Sequence, residues 1–243
     1  LRSTFGELRG VMLRGLALIG VMLAVPAEEQ DCRIALTIGL DVSNSVDAEE
    51  YALQTGGMAA ALMAPEVQAA FFSAPGRYVA LQVYEWSGRR RQQVQLDWIE
   101  VRGPDDLARA AAHLRAQPRS TNSYPTAIGR ALEFGAAQLE RGPDCAQSKI
   151  DIAGDGESND AEAPETALGP EHGAITVNGL AIGERAEELR VYYLRNVARG
   201  PGAFVEVARD HADFERAMRR KLVRELTEAQ VSERADERAR QWR

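Results

Sequence analysis

The apolar residues of this chain come in short blocks, and the rhythm inside each block predicts its element. Ile34 to Leu40 is a run of mostly aliphatic residues without polar alternation, as expected of a strand buried on both faces in the middle of a parallel sheet. Tyr78 to Trp86, Lys149 to Gly154, Ala174 to Ile182 and the short Ala203 to Ala208 are further strand candidates. Gln92 to Val101 alternates partly with polar residues and is separated from the Tyr78 run by Ser-Gly-Arg-Arg-Arg. That pattern reads as the second arm of a hairpin, antiparallel at a sheet edge that its charges blunt.

The intervening segments read as helices. Ala48 to Met63 opens on Glu49-Glu50, which suits the positive end of a helix dipole. Its Gly56-Gly57 pair predicts close packing against the sheet. Asp105 to Ala116 lies between Pro104 and Pro118, and further helices are expected over Thr126 to about Leu139, Ala186 to Val197 and Asp213 to Glu228. Strands alternating with helices after a single hairpin predict one α/β domain over residues 32–228. It should be doubly wound, with a mostly parallel six-stranded sheet, one antiparallel edge strand and helices on both faces. Trp86 and Trp98 read as packing residues of their strands.

The ends follow a different grammar. Residues 1–27 combine Arg2, Arg9 and Arg14 with an apolar stretch from Gly15 to Ala24 and Val-Pro-Ala before Glu28-Glu29. This is the pattern of a secretory signal peptide, with an uncleaved anchor as the other reading. The chain begins with Leu1, so its start is expected upstream or at an unusual codon. Residues 229–243 form a charged tail, either a solvated helix extension or disordered. A net charge of −7 without a basic stripe argues against nucleic acid as a partner. Beyond the leader, no segment is expected in a membrane. In an exported, periplasmic or secreted protein, the two cysteines, Cys32 and Cys145, favour a disulfide if their strands are parallel neighbours. Two separate buried thiols are the alternative.

Chemistry concentrates where two strands end. The Ile34 strand stops at Asp41-Val-Ser43-Asn-Ser45, and the Lys149 strand stops at Asp155-Gly-Glu-Ser-Asn-Asp. Carboxyl ends of strands in open α/β sheets are where ligands bind. One reading is that Asp41 and Ser43 only cap the next helix, as Thr126 would cap its own. The other is that these groups, hard oxygen donors all, hold Mg²⁺ first, or Mn²⁺ or Ca²⁺.

Together, Asp41-Val-Ser43-Asn-Ser45, the Thr126-Ala-Ile-Gly-Arg-Ala-Leu helix start and Asp155-Gly156 resemble the von Willebrand factor type A (VWA) domain. The resemblance covers about Ile34 to Leu226. Within that family the chain is most similar to a bacterial exported branch of unknown function, through Glu85-Trp86-Ser87 and Gly200 to Phe204. It implies a metal-ion-dependent adhesion site (MIDAS) in which Ser43, Ser45 and Thr126 approach a divalent cation through hydroxyls, and Asp41 and Asp155 directly or through water. The open position of such a cation would take an acidic side chain of a protein or peptide partner.

Three functional readings follow: a metal-dependent binding module without enzymatic activity, a metal-dependent phosphohydrolase with Asp41 as nucleophile, and a VWA scaffold that binds no metal. The first is favoured, because no G-x-S-x-G, G-x-x-x-x-G-K or H-E-x-x-H motif occurs. His113, His172 and His211 are the only histidines, and none is expected at the Asp41 edge. Asp47, Glu49, Glu157 and Asp160 flank the ligands in sequence and predict an acidic rim around the cation.

Overall fold

A computed structural model of the chain describes residues 31–121 and 123–241, with side chains through residue 227. The leader expected over residues 1–27 lies outside the described residues. The first strand, β1 (Cys32–Asp41), is buried along its whole length. It pairs in parallel with β2 (Tyr78–Trp86) on one side and β4 (Gln147–Gly154) on the other. The polar alternation of β3 (Gln92–Val101) puts it antiparallel beside β2 at the edge, as the hairpin pattern predicts. With β5 (Thr176–Ile182) and β6 (Val205–Ala208) the sheet order is β3-β2-β1-β4-β5-β6.

Helices cover both faces. α1 (Ala48–Met63), α2 (Pro65–Phe71), α3 (Pro104–Ala116) and α6 (Phe214–Gln241) pack Met58, Phe71, Leu107, Phe214 and Leu222 onto one side. α4 (Ile128–Arg141) and α5 (Ala186–Asn196) pack Ile128, Leu132, Leu189 and Tyr193 onto the other. This doubly wound arrangement is the fold read from the sequence, with three local differences. α2 was not legible, because seven residues after Pro65 are too few to display a helical period. The close approach at Gly57 is to α6 and not to the sheet, since a Cβ there would lie 3.0 Å from Phe214 and 3.2 Å from the Glu215 nitrogen. The last helix also runs past Glu228 to Gln241.

Cys32 and Cys145 form a disulfide. Because β1 and β4 are parallel neighbours, both cysteines sit at the amino edge of the sheet, and the bridge closes a span of 113 residues. A loop that long contributes about 4 to 5 kcal/mol in the chain-entropy picture. Among the described residues no helix is long and apolar enough to cross a membrane. The strand order reverses between β1 and β4, which makes their carboxyl ends the crevice where this topology binds ligands.

Candidate metal centre

At the reversal β1 ends in Asp41 and β4 is followed at once by Asp155, and the loops after them meet. Asp41 is fully buried at the end of β1. Its Oδ1 accepts the Ser43 amide at 2.7 Å, and the Gln54 side chain donates to its carbonyl at 3.1 Å. The Ser43 and Ser45 hydroxyls lie 3.2 Å apart, Thr126 Oγ1 lies 3.3 Å from Ser43 Oγ, and Ser45 Oγ donates to Asp155 Oδ1 at 2.6 Å. Asp41, Ser43, Ser45, Thr126 and Asp155, spread over 115 positions of sequence, are therefore brought to one place.

The capping alternative fails at both helices. The cap of α1 is Asp47, whose side chain accepts from Glu49 N and Glu50 N while Glu50 reaches back to the Asp47 amide. α4 starts from Ala127 without a side-chain cap, and the Ile128 amide donates instead to Ser158 Oγ at 3.2 Å. The hydroxyls of Ser43, Ser45 and Thr126 are thus not consumed by helix ends. Ser45 and Thr126 border an open cleft of about 790 Å³ whose walls also include Tyr124 and Asp155, with Ser43 buried behind them.

Apart from Glu85, which belongs to the Glu85-Trp86-Ser87 stretch, the supporting residues escaped the sequence reading because none carries a motif. Asn159 brackets Thr126, its Oδ1 accepting the Thr126 amide at 2.9 Å while its own amide donates to the Thr126 carbonyl at 2.8 Å. Arg119 donates to the carbonyls of Val42, Ser43 and Val46 at 3.0, 3.1 and 2.6 Å, pinning the serine loop. Buried Glu85 accepts the Ser120 amide at 2.9 Å and so holds the segment that bears Arg119. Gly154 is required by close approach, since a Cβ there would lie 2.7 Å from Tyr193 OH and 3.0 Å from Asp41 Oδ2. Trp86 is fully buried against the same spot, and Trp98 packs beside the disulfide, so both tryptophans are packing residues.

The electrostatics mark Asp41 as incomplete. Burial, and then the charge of Asp155, raise its carboxyl to about pH 7, against hydrogen bonds from Ser43 and the charge of Arg119. Its Oδ2 is buried without a hydrogen-bond partner. An anionic oxygen out of water needs a positive partner, and the three hydroxyls and two carboxylates here are the donors a hard cation uses. The residues present fit a divalent cation.

The acidic rim is thinner than the sequence implies, because Asp47 is spent on the α1 cap and Asp160 pairs with Arg89. His113 bonds to the Gln95 carbonyl and His172 lies beside Glu140, both away from the site. His211 departs from expectation. It precedes α6, and with Asp155, Gly156 and Glu157 it lines a second groove beside the centre.

Comparison with known proteins bears on the fold. A family model described as a protein of unknown function (DUF1194) matches residues 31–230. No curated protein matches the chain. Among solved structures the chain is similar to proximal thread matrix protein 1 from the mussel byssus, at TM-score 0.58 and 17% identity over 83% of this chain and 49% of that one. Another structure of that protein carries a zinc-occupied MIDAS motif. It is also similar to a von Willebrand factor type A protein from Catenulispora acidiphila, at 0.51 and 17% over 80% and 42%. A third is BatB from Bacteroides thetaiotaomicron, at 0.55 and 14% over 80% and 99%. The chain spans about half the length of the first solved structures it matches. The fold is that of a VWA domain.

Proposed function

This chain belongs to DUF1194, a family of proteins of unknown function, and from that premise we propose that it is an exported VWA-type binding module without enzymatic activity. It holds a divalent cation, Mg²⁺ ahead of Mn²⁺ and Ca²⁺, on Asp41, Ser43, Ser45, Thr126 and Asp155. The observation that carries the reading is the convergence of three hydroxyls, none of them a helix cap, beside a buried carboxylate whose Oδ2 has no hydrogen-bond partner among the described residues. Zinc in the MIDAS motif of the mussel protein supports a divalent ion at the equivalent loops here. The all-oxygen donor set favours a harder cation than zinc. With a largely neutral set of hydroxyls around it, the cation stays electrophilic and takes a carboxylate from a protein or peptide partner. Export is supported by the disulfide, which belongs to oxidising compartments, and by the leader-like start. The domain proper is taken as residues 32–228, followed by the charged tail.

The test is capture of partners from envelope extract on immobilised protein. A partner retained with Mg²⁺, released by EDTA and not captured by Ser45→Ala supports the reading. A partner held equally in EDTA would overturn it.

A further inference from the structure

The groove that contains His211 lies beside the metal centre and shares Asp155, Gly156 and Glu157 with it as a common wall. It measures about 680 Å³. Its carboxylates are Glu50, Asp155, Glu157, Glu184, Glu188 and Asp210, and among the described residues Arg185, which pairs with Glu188, is the one arginine or lysine in its lining. Ile182 and Leu189 give it an apolar stretch. An acidic groove alone is an ordinary solvated surface, but His211 makes this one different. The residue is 6% exposed, its Nδ1 lies 3.2 Å from Glu50 Oε1, and its Nε2 has no hydrogen-bond partner. Nε2 is thus a buried ring nitrogen left unpaired among carboxylates.

That combination calls for a positively charged group that carries N–H donors. A second metal ion is the competing occupant, yet among the described residues no three His, Cys, Asp or Glu side chains come together as a metal site. The carboxylates of the groove thus form no chelating cluster among the described residues, which suits an extended cation. The aliphatic stem of a lysine or arginine would lie along Ile182 and Leu189 while its head meets the acids.

We propose that this groove takes a lysine or arginine side chain of the same partner whose carboxylate reaches the cation. The inference rests on the metal-dependent reading above and adds a second specificity element to it. The recognised segment is bipartite, an acidic residue and a basic residue straddling the Asp155-Gly156-Glu157 wall. Glu184, which has no ion pair among the described residues, and His211 are its specificity residues.

Amide NMR titration of the full chain separates the two claims. The probes are N-acetyl-arginine amide, a cation without a carboxylate, and N-acetyl-aspartate amide. The arginine probe should shift amides of residues 183–189 and 210–213 equally in Mg²⁺ and in EDTA, and should weaken with added salt. Glu184→Gln and His211→Phe should each weaken it about two- to fivefold, and His211→Gln, which keeps an acceptor, less. The aspartate probe should require Mg²⁺ and ignore Glu184→Gln. Arginine shifts scattered over the surface, or unchanged in both variants, overturn the basic subsite. So does a saturating response of residues 183–189 and 210–213 to Mg²⁺ or Zn²⁺. Loss of the aspartate response alone would count against the metal reading and leave the groove standing.

Discussion

Two neighbouring strands each bury an aspartate, and the contrast between them separates architecture from function. Asp151, on β4, is 1% exposed and meets the ammonium of Lys221 from α6. Lys221 also lies 3.3 Å from Glu225 Oε2, Asn178 donates to Glu225 Oε1 at 2.6 Å, and Lys149 donates to the Glu225 carbonyl at 2.8 Å. Burial pushes the Asp151 carboxyl up, and the charge of Glu225 adds to it, while Lys221 opposes both. Asp41, one strand away, is equally buried and has no ammonium or guanidinium in contact among the described residues. Asp151 is paired with an ammonium from within the chain, which ties α6 to the sheet, although its Oδ2, like that of Asp41, has no hydrogen-bond partner among the described residues. Asp41 is left to be compensated from outside.

The comparison breaks most visibly at Lys221. Lys221→Met should strand two buried carboxyls and cost about 3 to 5 kcal/mol in urea unfolding, with part recovered in Lys221→Met/Asp151→Leu. A cost below about 1 kcal/mol would make the two clusters alike.

Asp41 should behave in the opposite way. Its carboxyl is raised in the folded state, so the native protein binds the proton more tightly than the unfolded chain does. Its ionisation therefore removes stability as pH rises from its ordinary range near 4 to about 7. In EDTA that loss should approach about 4 kcal/mol at most. Asp41→Asn should erase it and raise the unfolding midpoint at pH 8 even as it abolishes metal binding, and saturating Mg²⁺ should offset the loss in the parent. Identical pH profiles for parent and Asp41→Asn in EDTA would refute the uncompensated charge.

A smaller effect is expected from the residue that only positions a ligand. Asn159→Ala removes the bracket around Thr126 and should weaken Mg²⁺ about 10- to 100-fold in calorimetry, with little change in fold. The smallest is Glu157→Gln, on the shared wall. It should tighten N-acetyl-aspartate amide and weaken N-acetyl-arginine amide, each by less than about fivefold. Shifts of the same sign for both probes would show that the wall does not divide an acidic from a basic subsite.

The strands, and the residues that meet at their carboxyl ends, were legible because each depends on local pattern. Buried parallel strands need apolar runs, and an aspartate at or just past the end of a strand announces itself at Asp41 and again at Asp155. What was illegible depends on distance in sequence. Asn159 reaches Thr126 across 33 positions and Arg119 reaches Val46 across 73, and nothing near either residue says so. His211 looked remote because it precedes the last helix, yet β6 delivers it to the same carboxyl edge. Asp47 and Asp160 looked like rim charges and proved to be a helix cap and an ion-pair partner, uses that composition does not reveal.

The central claim is that one cation sits where β1 and β4 end, and isothermal titration of Mg²⁺ or Mn²⁺ into the parent and Asp155→Ala tests it most directly. The account predicts one site per chain in the parent, strongly weakened in Asp155→Ala while urea unfolding in EDTA stays nearly unchanged. Equal heats and affinity in the two proteins would contradict it.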